Sequence, residues 1–351
     1  MNLRVAIQMD PPATMKYATD TTLRLALEAE RRGYTVWVYT PDKLTLKDGA
    51  ITAHAERTSF HDNATHMFDV HESARLDLTQ MDVVLLRQDP PFDMAYLSTT
   101  YVLERLTSPS PSQGEGGGEG RKVLVINDPA SVRNHPEKLF PTVFKQFMPP
   151  TLVTADSAEI AAFRREFKDI VIKPLYGYAG HDVVRVKPDD PYPHPFLNPH
   201  PNPLPKRERE SLTSPSPSQG EGRDEGAFKL REPVMVQPFL PEVKTGDRRI
   251  ILINGELGGI MARIPAEEDF RANFRVGGHP EKAEITPRQR EICEALRPEM
   301  KRLGIVLAGI DCIGDYLTEI NITSPTGIPA MNRLYGLRLE STVWDAIEAR
   351  L

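Results

Sequence analysis

Cysteine is nearly absent from this chain. Cys293 and Cys312 are the two present, and they stand far from any CxxC spacing. That excludes a disulfide scaffold and cysteine-ligated zinc modules, and leaves two reduced thiols as the expectation. Long apolar runs are lacking as well, and none approaches the roughly 20 residues of a membrane-spanning helix. No basic block extends beyond a few positions, and a net charge of −6 argues against general nucleic-acid binding. There is no GxGxxG after the first strand-like run and no GxxxxGK followed by Ser or Thr, so neither a dinucleotide site nor a P-loop is indicated. The first residues enter a strand pattern without the layout of a secretory signal. The expectation is a soluble cytoplasmic protein that binds neither membrane nor nucleic acid.

What is present is ordinary in amount and informative in order. The 351 residues, 40% hydrophobic and 26% charged, suffice for two or three packed units. Residues 3–9 read as a buried strand. Thr19 and Asp20 can cap a helix ended by Gly33, and 34–39 form the next strand. Residues 82–86 and 122–126 read as further strands, with a helix over 94–106. This alternation predicts an α/β unit with a largely parallel sheet covered on both faces. Further on come a helix over 137–147, a strand at 151–154, a helix over 157–167 and a strand at 170–174. A glycine-containing loop at 175–181 then leads to a return strand at 182–187. After Pro233 the reading is a strand at 234–237, a strand pair over 249–254 and 256–263, a helix over 287–303, and a hairpin. A final helix over 342–350 closes the chain. The predicted divisions are 1–122, 123–233 and 234–351.

Two stretches break the pattern. Residues 106–116 recur without a change at 212–222, and each copy consists largely of Pro, Ser, Gly and charge. Such sequence cannot bury apolar surface, so about 107–121 and 190–229 are expected to be disordered insertions.

The most informative segment is 308–326. Asp311 stands on one β-branched run, and Glu319 and Asn321 on the next. Glu319 and Asn321 are two apart, so on a strand they share a face. A two-residue loop at Gly314-Asp315 would put Asp311 on the opposite face; a three-residue loop through Tyr316 would set it across from Glu319. In that second register three oxygen donors converge on a point suited to a hard cation such as Mg2+. Elsewhere, Lys173 ends a buried strand just before Tyr176, Gly177 and Gly180, where backbone N–H groups could approach an anion. Lys138 falls early in a predicted helix, where a cation is disfavoured unless an anion lies near. The strand carrying Gln237, Phe239 and Leu240 could offer its backbone to an adenine ring, or simply link two units. Arg87, Arg249 and Arg263 close or open strands, positions suited to bidentate recognition of carboxylates. Residues 265–280, with Arg271 and Asn273, have the composition of a lid over anionic ligands or of an ordinary surface loop.

The order of these elements is specific. RQDPPFD (87–93), EKLF (137–140), VIKPL (171–175), VQPFLP (236–241), GDRRIIL (246–252), MARIP (261–265) and TEINITSPT (318–326) together resemble prokaryotic glutathione synthetase of the ATP-grasp superfamily. The resemblance covers nearly the whole chain outside the two insertions. It implies an ATP-grasp fold behind an N-terminal Rossmann-like domain, and ligation of γ-glutamylcysteine to glycine with ATP through an acyl phosphate. Carried onto this chain, it implies that Lys138 and Lys173 contact nucleotide phosphates beneath the loop bearing Tyr176, Gly177 and Gly180. Gln237, Phe239 and Leu240 would border the adenine, and Asp311, Glu319 and Asn321 would hold Mg2+, with Mn2+ as a substitute. Arg249 would stabilise the acyl phosphate, while Arg87, Arg263, Asn273, Ser324 and Thr326 would orient the substrates. A homo-oligomer, by family a tetramer, is also implied.

The chain departs from the family at two places. Its phosphate loop is poorer in glycine, and the second insertion falls where the family has a helix, leaving a remnant at 227–231. The alternatives are another carboxylate–amine ligase, or a nucleotide-binding protein without catalysis.

Overall fold

The computed structural model describes residues 2–107, 122–178, 180–190, 229–266, 271 and 277–351. The expected insertions, apart from their edges, lie outside these residues, as does Asn273. The chain divides into two compact units, one holding Met1–Met148, Tyr178–Gly180 and Leu240–Leu351, the other Pro149–Gly177 and His181–Phe239.

The first unit begins with β1 (Arg4–Gln8), α1 (Thr21–Arg31) and β2 (Thr35–Tyr39). The Asp20 carboxylate caps α1 by accepting from the Leu23 N–H at 2.9 Å, satisfying one of the orphan donors of the first turn. β3 (Leu44–Lys47), β4 (Ala50–Phe60), β5 (Phe68–Asp77), β6 (Val83–Leu86), α2 (Met94–Thr107), β7 (Leu124–Ile126) and α3 (Pro129–Asn134) follow. The sheet runs β3-β4-β2-β1-β6-β7, with β5 on the far side of β4. Strands β2, β1, β6 and β7 are parallel, as the alternation predicts. Neighbouring residues of β1 serve opposite faces: Val5 and Ile7 pack with Leu23 and Ala26 of α1, and Ala6 with Leu103 of α2.

The antiparallel extension β3-β4-β5 adds to the parallel core an edge that the sequence did not announce. Its strands are half exposed and carry Thr, Glu, Arg and His, so they lack the apolar runs that mark β1 and β6. The helix expected over 137–147 is also revised. The structure forms a 3-10 helix over Phe140–Phe147, with Phe144 at φ −109° and ψ 46°. The Glu137 carbonyl accepts from Ile320 N–H at 3.0 Å, so it is spent on a strand rather than on a helical turn.

The second unit holds β8 (Leu152–Asp156), α4 (Ser157–Phe167), β9 (Ile170–Pro174), β10 (Val184–Val186) and β11 (Lys229–Pro238) in the order β10-β9-β11-β8. Ile160 of α4 packs on Ile170, Ile172, Val234 and Val236 of this antiparallel sheet. The expected helix remnant is corrected here: residues 229–231 belong to β11, and 227–228 lie outside the described residues.

Returning to the first unit, β12 (Asp247–Ile253), β13 (Glu256–Ile264), β14 (His279–Glu281), α5 (Pro287–Arg302), β15 (Leu307–Ile313) and β16 (Tyr316–Asn321) precede α6 (Ile328–Tyr335) and α7 (Leu339–Glu348). The antiparallel sheet runs β14-β13-β12-β15-β16. Ile250, Ile310, Cys312, Leu317 and Ile320 face Ile292, Leu296 and Met300 of α5, each Ile, Leu or Met burial worth roughly 1.5–3 kcal/mol. Strand alternation therefore turns Arg249, Gly309, Asp311, Glu319 and Asn321 to the other face. Among the described residues no helix is long and apolar enough to cross a membrane.

Candidate active site

The hairpin solves its register by a device that neither loop expectation contained. Ile313 pairs with Tyr316, so the turn is the two-residue loop Gly314-Asp315, with Gly314 at φ +57°. That loop alone would leave Glu319 facing away from Asp311. Cys312 pairs with Leu317, however, and Asp311 with Glu319, so Thr318 is an extra residue on β16. This bulge resets the alternation, and it is held by the Thr318 hydroxyl donating to the Asp311 carbonyl at 3.0 Å. The bulge, and not a three-residue loop, brings Asp311 across from Glu319. The Asn321 amide donates to Asp311 Oδ2 at 3.3 Å, so all three expected donors stand together.

Two arginines converge on the same carboxylate. Arg249 donates from Nε to Asp311 Oδ1 at 2.5 Å and from Nη2 to Oδ2 at 2.8 Å. Arg263 Nη2 lies 3.0 Å from Asp311 Oδ2, and its fork also grips Asp247 at 2.7 and 2.5 Å. All four groups are buried. Burial pushes the Asp311 carboxyl up, but Arg249 and then Arg263 more than offset it and hold it below its usual value. Asp247, which also feels the Asp311 charge, is raised, with burial the leading cause. Gly309 leaves room for this pairing: a Cβ there would stand 3.0 Å from Arg249 Nη1.

Lys138 is buried on the same unit. Its Nζ lies 2.5 Å from Glu137 Oε1 and 4.0 Å from Glu319 Oε1. Burial lowers the Lys138 pKa, yet the carboxylates of Glu137 and Glu319 raise it overall and keep the ammonium charged. Glu137 is pushed up, chiefly by burial, against the pull of Lys138. Lys138 stands before the 3-10 helix and not inside a helix, and Glu137 is an anion beside it.

The segment after β16 is tied to Arg249, expected at the acyl phosphate, and to Arg87, expected at the substrates. Arg249 Nη1 donates to the Thr326 carbonyl at 3.1 Å, and Arg87 Nη2 to the Pro325 carbonyl at 3.2 Å. The Ser324 hydroxyl donates to the Arg87 carbonyl at 3.2 Å, and Arg87 Nε reaches Thr22 Oγ1 at 3.1 Å. Arg87, Arg249, Arg263, Asp311, Glu319, Asn321, Ser324, Thr326 and Lys138 thus form one connected polar region of the first unit. Gly180 and Leu240 also belong to this unit; the Gly180 carbonyl accepts from Arg271 Nη1 at 3.0 Å.

The second unit carries its own set. Lys173 Nζ donates to Gln237 Oε1 at 3.0 Å, and the Gln237 amide donates to Thr151 Oγ1 at 3.0 Å. Gly177 turns tightly, since a Cβ there would meet the Pro174 ring at 3.2 Å. Tyr176 beside it is exposed. The Phe239 N–H donates to the Asp169 carbonyl at 2.9 Å, and the Arg185 guanidinium covers the Phe239 ring at 3.4 Å.

Sequence reasoning missed Asp247, Glu137, Thr318 and Gly309. Asp247 lies two residues before Arg249 on one strand, a signal that was available; the bulge at Thr318 left no compositional mark. Asn127 was also missed. Its amide donates to the Leu307 and Ile322 carbonyls, and its oxygen accepts from the Val306 and Leu307 N–H groups, tying β15 to the N-terminal sheet.

Comparison with known proteins bears on this geometry. The family models for the prokaryotic glutathione synthetase N-terminal and ATP-grasp domains match residues 3–133, and 137–197 with 225–336. Curated relatives named glutathione synthetase include those of Mesorhizobium japonicum and Brucella melitensis. Each is 44% identical over 350 residues, covering all of this chain and 99% or 100% of the relative. Among solved structures, D-cycloserine synthetase DcsG aligns with a TM-score of 0.58 at 14% identity over 98% of this chain and 99% of that one. The ATP-grasp ligase PsnB, described with a precursor variant, Mg and ADP, aligns with a TM-score of 0.56 at 15% identity over 99% and 98%. These structural likenesses carry the fold alone. The ATP-grasp family model and the curated relatives mark the chain as an ATP-grasp enzyme, an ATP-dependent carboxylate–amine ligase. Within that class, the chain belongs to the prokaryotic glutathione synthetase family.

Proposed function

We propose that this protein forms glutathione from γ-glutamylcysteine and glycine, with ATP converted to ADP and phosphate. The observation that carries the reading is the joint hold of Arg249 on Asp311 and on the Thr326 carbonyl, with Arg87 holding the adjoining Pro325. It links the carboxylate hairpin directly to the segment proposed to receive substrate. A free carboxylate is a poor acyl donor. In the proposed reaction a γ-glutamylcysteine carboxylate oxygen bonds to the γ-phosphorus of ATP as the bond to ADP breaks. The glycine amine then bonds to the activated carbonyl carbon, phosphate leaves with the bonding pair, and the amine loses a proton. The protein's part is positioning and charge neutralisation.

In this reading Arg249 faces the acyl phosphate, while Arg87, Arg263, Asn273, Ser324 and Thr326 orient the two substrates. Lys138 and Lys173 contact phosphates, Tyr176, Gly177 and Gly180 cover them, and Gln237, Phe239 and Leu240 border the base. Asp311, Glu319 and Asn321 fit Mg2+, or Mn2+ in its place. They are hard oxygen donors, and Arg249 and Arg263 keep Asp311 in the ionised form that a metal ligand needs. Bound there, the ion would neutralise charge on the phosphates. We also assign 1–122, 123–233 and 234–351 as the working divisions, and propose a cytoplasmic homo-oligomer, a tetramer by family likeness.

Mass analysis of the product formed with ATP and Mg2+ tests the substrate assignment. Glutathione is expected from γ-glutamylcysteine and glycine; a product formed equally well from unrelated amines or peptides would overturn it.

A further inference from the structure

The hairpin that extends the N-terminal sheet carries a cluster which the ligation does not use. β4 ends at Phe60 and β5 begins at Phe68, and between and beside them stand His61, His66 and Asp69. His61 Nε2 lies 2.8 Å from Asp69 Oδ2, and His66 Nε2 lies 3.0 Å from Asp69 Oδ1. The two imidazoles are stacked, with centroids 5.1 Å apart and planes 16° apart. Among the described residues this is the only group in which three ligand atoms of His, Cys or carboxylate type lie within 4.8 Å of one another. Both rings thus offer the same nitrogen to one carboxylate, and the two hydrogen bonds depress the Asp69 carboxyl, His61 foremost.

The frame around the cluster is built independently of it. The His61 N–H donates to the Met67 carbonyl at 2.8 Å, closing the loop, and Asn63 Oδ1 accepts from both Thr65 N–H and Thr65 Oγ1. Asp62 is already engaged by Tyr17 and Arg24, at 2.7 and 2.6 Å, which fastens the loop to the segment around α1. His71 is held by Ser59 Oγ at 2.7 Å. Three side chains remain directed at one another, His61 and His66 on the loop and Asp69 on β5, all open to solvent.

We propose that His61, His66 and Asp69 bind a divalent transition metal such as Zn2+. Two imidazoles and one carboxylate are the donor types such ions prefer, whereas Mg2+ favours oxygen alone. The metal would take the place of the imidazole protons now shared with Asp69, and water would complete its coordination. The site is separate from the Asp311 hairpin and clasps the loop between β4 and β5.

Isothermal titration of chelator-stripped full-length protein with Zn2+, in excess Mg2+, tests the assignment. The wild type is expected to take up one equivalent that His66→Ala and Asp69→Asn each weaken by more than about tenfold, since even outer-sphere partners of a ligand are worth 10- to 100-fold. Co2+ should give visible ligand-field bands without a thiolate charge-transfer band. Equal heats in wild type and both variants, or no uptake of Zn2+, would overturn the proposal. Circular dichroism of the variants checks that the fold is retained, and ligation activity in Mg2+ is expected to be unchanged.

Discussion

Arg249 spans Asp311 and Thr326: its Nε and Nη2 hold both oxygens of the carboxylate, while its Nη1 holds the carbonyl. A guanidinium has the planar fork for this arrangement and an ammonium does not. Arg249→Lys should therefore lower kcat by about 10²–10³-fold, the size expected on losing a group that stabilises developing charge. The KM for ATP should change much less. Steady-state measurement of ADP release separates the two; a variant with nearly normal kcat would contradict the assigned role.

Glu319 stands across from Asp311 only because Thr318 is an extra residue on its strand. Glu319→Gln keeps the shape and removes a hard anionic ligand. It should abolish turnover while leaving the melting temperature within about 2 °C, since partly exposed substitutions away from a packed core cost little. Full activity across a Mg2+ titration would refute Glu319 as a metal ligand.

Lys138 is buried and its partner Glu137 is partly buried, and removing one leaves the other without its compensating charge. Lys138→Met should cost about 3–5 kcal/mol. The double change Glu137→Gln with Lys138→Met should recover much of that stability without recovering turnover. Urea unfolding and activity measured on the same samples test this. Stability and activity returning together would give Lys138 a purely structural part.

Glu28 on α1 is surrounded by Arg31, Arg32 and Arg338. Hydrogen bonds from Arg31, against burial and with Arg32, bring its pKa down from 4.5 to about 2. Because the folded value is depressed, the stabilisation is fully present above the unfolded value and is lost as pH falls from about 4.5 towards 2. Glu28→Gln should cost about 2 kcal/mol at neutral pH. The gap in melting temperature between wild type and variant should narrow below pH of about 4.5. A gap that stays constant down to about pH 3.5 would show that packing, not charge, is lost.

Much of the frame was legible because it rests on apolar periodicity. The runs of β1, β6 and β9 and the cap at Asp20 announce themselves in sequence, and so do the Glu319 and Asn321 spacing and the lysines and arginines at strand ends. What was hidden depends on tertiary partners. β4 and β5 show little apolar contrast, since one face is solvated. Residues 137–139 form a turn closed on the Pro136 carbonyl and not an α-helix, and the Glu137 carbonyl accepts from Ile320. The Thr318 bulge changes which residues face each other without changing composition. Asp247 shows its spacing to Arg249 in the sequence, but its pairing with Arg263 of β13 appears only in the fold.

The most direct test of the ligation is phosphate release from ATP in Mg2+, measured with γ-glutamylcysteine and glycine together and with each omitted in turn. The account predicts sustained release, matched by glutathione, only when both are present. Release that proceeds at the same rate without either one would contradict it.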